Sequence, residues 1–177
     1  MLATAAVVGA GPSGQAISIL LAQAGVDVTV FERAPAIEPV GAGLLVQPTG
    51  ERVLRELGVA ERLIDLAAPI DRLYGDTDRG RRVLDVRYAD LAPGLVGRGL
   101  LRSAIASALL DRMRATGVRL ITGTPISTTR PCAGADEVID DHGRVHGPFD
   151  LVVIADGARS SLRATALEDD AVRRVRR

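Results

Sequence analysis

The chain predicts an α/β fold whose parallel sheet carries helices on its faces. Three observations lead there. Ala5-Ala6-Val7-Val8 is a short apolar run of the kind a buried strand shows. Gly9-Ala10-Gly11-Pro12-Ser13-Gly14 follows at once, a G-x-G-x-x-G loop leading into a helical stretch from Ser13 to Ala24. A second apolar run, Val26 to Phe31, then ends at the acid Glu32. Strand, glycine turn, helix, strand and acid in that order form the βαβ unit that receives the ADP half of a dinucleotide.

Each residue of the unit has a physical task. Gly9 turns the chain sharply out of the first strand. Gly11, without a Cβ, lets a pyrophosphate approach the backbone, and Gly14 lets the helix pack closely. Pro12 suits a first helical turn, where its missing N–H costs nothing. The free amides of that turn, Ser13 among them, and the positive helix end favour a diphosphate. Glu32 can accept hydrogen bonds from ribose hydroxyls.

Further along, Leu44-Leu45-Val46 is a short apolar run. Pro48 opens a helix over about 49–57 that Gly58 closes, and a second helical piece spans 60–66. Ile70 to Tyr74 and Arg82 to Arg87 read as strands about a turn at 76–80, and 89–99 reads as loop. From Leu100 to Ala115 the apolar residues Leu101, Ile105, Leu109 and Met113 recur every fourth position, which predicts a long helix. Val118 to Ile121 begins a strand. Asp140 to Gly143 is a hairpin turn, Phe149 to Ile154 reads as one buried parallel strand, and a short helix is expected from Leu162. The tail from Glu168 is charged.

Composition narrows the classes. The 177 residues suffice for a domain with a real core, 47% are apolar, and the formal net charge is zero. Every one of the 22 basic residues is Arg, and aromatic residues are 2%, so there is no stacking platform for nucleic acid. Cys132 stands alone, which excludes an internal disulfide or a cysteine metal cluster and fits a reducing cytoplasm. The apolar N-terminus lacks the basic segment of a secretory leader, and no apolar run reaches the roughly 20 residues of a membrane span. His142 and His146 read as surface residues of a turn, and no metal site is expected.

Beyond the glycine loop, two further segments carry the assignment: Arg102 at the head of the long helix, and Asp156-Gly157-Ala158-Arg159-Ser160-Ser161 after the apolar run. Together with the Glu32-Arg33 pair and the segment from Gly41 through Gly43 to Gly58, they resemble the class A flavoprotein monooxygenases, the family of p-hydroxybenzoate hydroxylase. The resemblance implies a Rossmann-like FAD-binding domain, formed by 1–66 and 100–177, with part of an inserted β-rich substrate layer at 67–99. It implies that Glu32 holds the FAD adenosine ribose, that Arg102 neutralises part of the diphosphate, and that Asp156-Gly157 serves both FAD and the pyridine nucleotide. Gly9, Gly11, Pro12, Ser13, Gly14, Arg33 and Gly43 complete the cofactor-binding set. No catalytic side chain is nominated, because the flavin carries the chemistry.

The implied reaction is NAD(P)H- and O₂-dependent hydroxylation of a small aromatic or related organic substrate. A reductase or dehydrogenase of the same fold and a non-catalytic FAD-binding fragment are the alternatives. The family's later Gly-Asp motif does not occur: Gly75-Asp76 falls in a hairpin instead. The chain therefore resembles the N-terminal portion of an enzyme about twice as long, completed by a C-terminal half or a second chain, and is expected not to turn over alone.

Overall fold

The computed structural model describes residues 2–38 and 41–163. The chain runs β1 (Thr4–Val8), α1 (Pro12–Gln23), β2 (Asp27–Phe31), β3 (Gly43–Val46), α2 (Pro48–Glu56) and α3 (Ala60–Ile64). Next come β4 (Ala68–Ile70), β5 (Arg72–Asp76), β6 (Arg82–Arg87), a 3-10 turn at Tyr88–Asp90, β7 (Gly97–Leu101) and α4 (Arg102–Ala115). It ends with β8 (Arg119–Ile121), β9 (Ile126–Cys132), β10 (Ala135–Asp140), β11 (Val145–Phe149) and β12 (Leu151–Ile154). The helix expected from Leu162 lies mostly outside the described residues, and the charged tail wholly so. Two compact units result, Met1–Glu38 with Leu110–Arg177, and Pro39–Leu109. The segment 67–99 falls within the second.

The first unit is built on a four-stranded parallel sheet of order β12-β1-β2-β8. Ala5, Ala6 and Val7 are fully buried, as a central parallel strand with both faces covered requires. An antiparallel sheet of order β11-β10-β9 belongs to the same unit. One core cluster joins Ala6, Val8 and Phe31 of the parallel sheet to Ile126 and Val138 of the antiparallel one, with Leu162. This is the Rossmann-like α/β architecture that the glycine loop predicts.

Three expectations are corrected. The run 149–154 is two strands. Phe149 ends antiparallel β11, and β12 begins only at Leu151. Asp150 between them uses its carboxylate to accept the N–H groups of Ala3 (2.7 Å) and Thr4 (2.9 Å), clipping the start of β1 to the start of β12. Those two backbone N–H groups hold its carboxyl below the usual Asp value. His146 is no surface turn residue. It lies in β11 with its side chain 18% exposed, Nε2 3.0 Å from Oδ2 of Asp140, and its ring 4.9 Å from that of Phe31. Asp140, 5% exposed, also accepts the N–H groups of His142 and Arg144. The hydrogen bond to His146, followed by those amides, keeps its carboxyl below the normal value.

The third correction concerns the second unit. The run 70–74 splits between β4 and β5, and the supposed loop 89–99 contains the start of a strand, so the long helix begins at Arg102. β7 is the middle strand of the antiparallel sheet β3-β7-β4. Packing crowds its glycines: a Cβ on Gly97 would stand 2.8 Å from the Tyr88 ring, and one on Gly99 3.3 Å from the end of the Ile70 side chain. Two paired neighbours outweigh the weak strand preference of glycine. α2 carries Glu51, whose carboxylate accepts from Arg98 of β7 at 2.9 Å. β5 and β6 form a separate hairpin bearing the ion pairs Arg72–Asp85 and Arg82–Asp76.

Candidate FAD site

In the first unit β1, β2 and β12 all end at one edge of the parallel sheet, where an open α/β sheet receives its ligand. The glycine loop leaves β1 there. Gly9 has φ +100°, and a Cβ on it would stand 2.6 Å from the Ala155 carbonyl oxygen, so only glycine serves. Gly14 is tighter still, since its Cβ would lie 1.9 Å from the Gly9 oxygen. The helix thus presses on the loop itself. Gly11 differs, with an ordinary φ of −68° and nothing within 4 Å of its Cβ position. Its missing side chain leaves open space in front of the first turn of α1. Pro12 occupies that turn, no side chain caps it, and it holds no acid.

Glu32 lies one residue beyond β2. Its Oε2 accepts the Ala10 N–H at 2.8 Å and its Oε1 the Ala34 N–H at 2.9 Å. The carboxylate therefore ties the glycine loop to the loop after β2, and its remaining lone pairs stay available. Arg33 follows, exposed.

Asp156 and Gly157 follow β12 at the same edge. A cleft of about 530 Å³ opens there, within the range of about 300–1,000 Å³ usual for small-ligand sites. Ser13, Ile17, Val153, Asp156, Ser160 and Arg163 line it. Asp156 Oδ1 is buried and has no hydrogen-bond partner among the described residues. A buried carboxylate oxygen without a donor is costly, so this atom calls for a donor from a ligand or water. Gly157 has φ +91°.

Arg163 is a site residue that sequence reasoning missed. Its Nη2 donates to the Gly157 carbonyl at 3.1 Å and its backbone N–H to Ser160 Oγ at 3.0 Å. The available signal was a serine three residues before an arginine at a helix start. Arg102 and Gly43 stand in the second unit. The Arg102 N–H donates to the Ala42 carbonyl at 3.2 Å, and a Cβ on Gly41 (φ +139°) would stand 2.8 Å from Arg102 Cδ. Gly41, Gly43 and Arg102 are thereby brought together, with the Arg102 side chain exposed.

A family model described as "FAD binding domain" matches residues 2–169. The chain belongs to this FAD-binding-domain family. Among relatives of the domain, 3-amino-4-hydroxybenzoate 2-monooxygenase of Streptomyces cremeus is 33% identical over 174 residues, which cover 93% of this chain and 42% of that enzyme. Salicylate hydroxylase of Pseudomonas putida is 30% identical over 166 residues, covering 92% and 38%. The structure of 2-methyl-3-hydroxypyridine-5-carboxylic acid oxygenase superposes with a TM-score of 0.78 at 27% identity, covering 93% of this chain and 42% of that one. The FAD-binding domain thus spans about two-fifths of the length of these relatives. Among the described residues no helix is long and apolar enough to cross a membrane.

Proposed function

We propose that the chain is the FAD-binding part of a monooxygenase that uses NAD(P)H and O₂ to hydroxylate a small aromatic or related organic substrate. The observation that carries this reading is the edge shared by three groups: the open space before Gly11, the Glu32 carboxylate and the unpartnered Asp156 Oδ1. These suit the chemistry of FAD. The uncapped first turn of α1, with Ser13, attracts a diphosphate. Glu32 accepts from adenosine ribose hydroxyls while keeping its two backbone N–H groups. Asp156 Oδ1 accepts from a further cofactor hydroxyl. Arg163 supplies guanidinium charge for phosphate oxygens, with Arg33 as a further cation, while the cofactor role of Arg102 and Gly43 rests on the family resemblance alone.

Flavin, when bound, supplies hydride acceptance from a nicotinamide and activation of O₂. The side chains of this chain bind and orient it, and the apolar Ile17 and Val153 exclude water from one wall of the cleft. Residues 67–99, within the second unit, are assigned to the beginning of a substrate layer. Because the chain spans 42% of such relatives, residues 1–177 alone are expected to bind FAD without coupled turnover.

The test is the cofactor released from purified protein, with FAD titrations of wild type and Glu32→Gln. Glutamine keeps one acceptor oxygen and sets an N–H₂ against the other amide. Each charge-assisted hydrogen bond is worth about 1.5–3 kcal/mol, so FAD affinity should fall about tenfold or more. Recovery of NAD with no flavin binding would overturn the assignment.

A further inference from the structure

Glu32 is held at both ends. Its carboxylate accepts the N–H groups of Ala10 and Ala34. Its backbone is held by a distant segment, the loop between β8 and β9. The Glu32 N–H donates to the Ile121 carbonyl at 2.8 Å, and the Glu32 carbonyl accepts the Thr124 N–H at 2.9 Å. The neighbouring Gly123 N–H donates to the Ala34 carbonyl at 2.9 Å. Two successive amides of one loop thus grip the two carbonyls that flank Arg33.

The local geometry explains how one loop can do this. β2 and β8 are parallel, with Phe31 opposite Ile121, so both chains leave the sheet at the same edge. Gly123 then takes φ +63°, a left-handed conformation. A left-handed residue lets consecutive N–H groups converge on one side of a turn. The loop is itself anchored. Thr124 Oγ1 donates to the Thr122 carbonyl at 3.2 Å, and the Pro125 carbonyl accepts the Asp141 N–H at 3.0 Å. A Cβ on Gly123 would meet only Pro35 Cα, at 3.9 Å, an ordinary contact. Conformation, not space, is what favours glycine here.

We infer that Gly123 is a positioning residue for Glu32. The loop after β8 fixes where the Glu32 carboxylate stands, and through that carboxylate it steadies Ala10 of the glycine loop. For the cofactor this rests on the reading of Glu32 as the acid that binds the ribose. A residue that leaves the left-handed region at 123 releases the Glu32 and Ala34 carbonyls. The carboxylate then has to be ordered when a ligand arrives, and that ordering is subtracted from affinity.

The experiment compares Gly123→Ala and Gly123→Asn, each alone and combined with Glu32→Gln. Two quantities are read well below the melting temperature of every variant. One is amide hydrogen exchange at Ala10 in the chain without ligand, by NMR, and the other is FAD affinity. Alanine is disfavoured in the left-handed region, so Gly123→Ala should speed Ala10 exchange and weaken FAD, each by about fivefold or more. Asparagine tolerates that conformation, so Gly123→Asn should stay within about twofold of wild type in both. In the Glu32→Gln background Gly123→Ala should cost less than about a further twofold in FAD affinity, because its effect runs through that carboxylate. Unchanged Ala10 exchange in Gly123→Ala would overturn the inference. So would an equal loss in Gly123→Asn, or the same FAD loss with and without Glu32→Gln. Faster Ala10 exchange in Gly123→Ala, with FAD affinity unmoved by Gly123→Ala and by Glu32→Gln alike, would uphold the positioning of Glu32 and instead remove Glu32 from the ribose site.

Discussion

Gly14→Ala sets two effects of opposite sign against each other. Alanine in a helix is favoured over glycine by about 1 kcal/mol, so helix propensity alone predicts a stabilised protein. The structure predicts the reverse. The new methyl would lie 1.9 Å from the Gly9 carbonyl oxygen, and real Cβ contacts essentially never fall below 3.0 Å, so helix and loop must part by more than an ångström. The loop has little room to yield. The Gly9 N–H is bonded to the Phe31 carbonyl at 2.8 Å, and the Cβ position of Gly9 itself stands 2.6 Å from the Ala155 oxygen. Overpacking of this kind costs about 1–3 kcal/mol, and this contact is at the severe end of it. A net loss of about 1–2 kcal/mol in a chain of this size lowers the melting temperature by about 2–8 °C. Gly11→Ala is the control. Its Cβ meets nothing and its extended N-cap backbone, φ −68° and ψ 175°, suits any residue, so the melting temperature should move by less than about 2 °C, the effect of a poorer N-cap. Its FAD affinity should nonetheless fall, because the methyl enters the space before the first turn of α1. Far-UV circular dichroism melts and flavin fluorescence titrations read both quantities. A stabilised Gly14→Ala protein would refute the reasoning, since it would mean that the helix does not press on the loop.

Gln15→Met should raise the melting temperature. Gln15 is 1% exposed with neither amide atom bonded among the described residues, an unmet demand worth about 1–3 kcal/mol, and methionine keeps the shape. A lower melting temperature would show that the amide has a partner in solution. Asp150→Asn should destabilise at neutral pH by loosening the clip on Ala3 and Thr4. The depressed carboxyl of Asp150 contributes stability that is present above the unfolded Asp value of about 3.9 and lost as pH falls through the folded one. The gap between the wild-type and Asp150→Asn melting temperatures should therefore close on acidification, and a gap constant down to the most acid conditions would argue against the clip.

What was legible in the sequence is what local geometry dictates. Gly9 must be glycine because of its own φ and an adjacent carbonyl, and the acid after β2 is fixed by the length of one helix and one strand, so the βαβ unit shows without its surroundings. What was illegible depends on distant partners. Gly97-Arg98-Gly99 has the composition of a loop and becomes a strand only because β3 and β4 flank it and Tyr88 lies over it. The break between β4 and β5 falls at Asp71, whose carbonyl accepts the N–H of that same Tyr88 at 3.1 Å. Asp150 interrupts an apolar run because it is needed by Ala3 and Thr4, almost a whole chain length earlier. His146 looked like turn chemistry because its partner Asp140 lies across a hairpin and its ring partner Phe31 in another sheet.

The satisfied and unsatisfied groups of the candidate site are distributed unequally, and that inequality bears on affinity. Gly9 is bonded to β2, Ala10 to Glu32, Ala34 to Glu32, and Ala155 to Val8. The turn is thus held by three strands before any nucleotide arrives. Binding need not order it, and ordering costs are a main reason why contact area fails to become affinity. Among the described residues the groups left without partners are different ones: the first turn of α1 lacks a side-chain cap, Gly11 faces open space, and Asp156 Oδ1 has no donor. If the turn were mobile and its groups internally paired, a dinucleotide would have to break contacts and freeze backbone together. Here the frame is fixed and the demand is concentrated at the atoms a diphosphate and a hydroxyl can meet. Glu32 alone belongs to both sets, since it holds the frame with two bonds and still offers lone pairs. Its replacement should therefore disturb the apo loop and the proposed ribose contact at once, whereas Asp156→Asn should disturb the proposed cofactor contact with less effect on the frame.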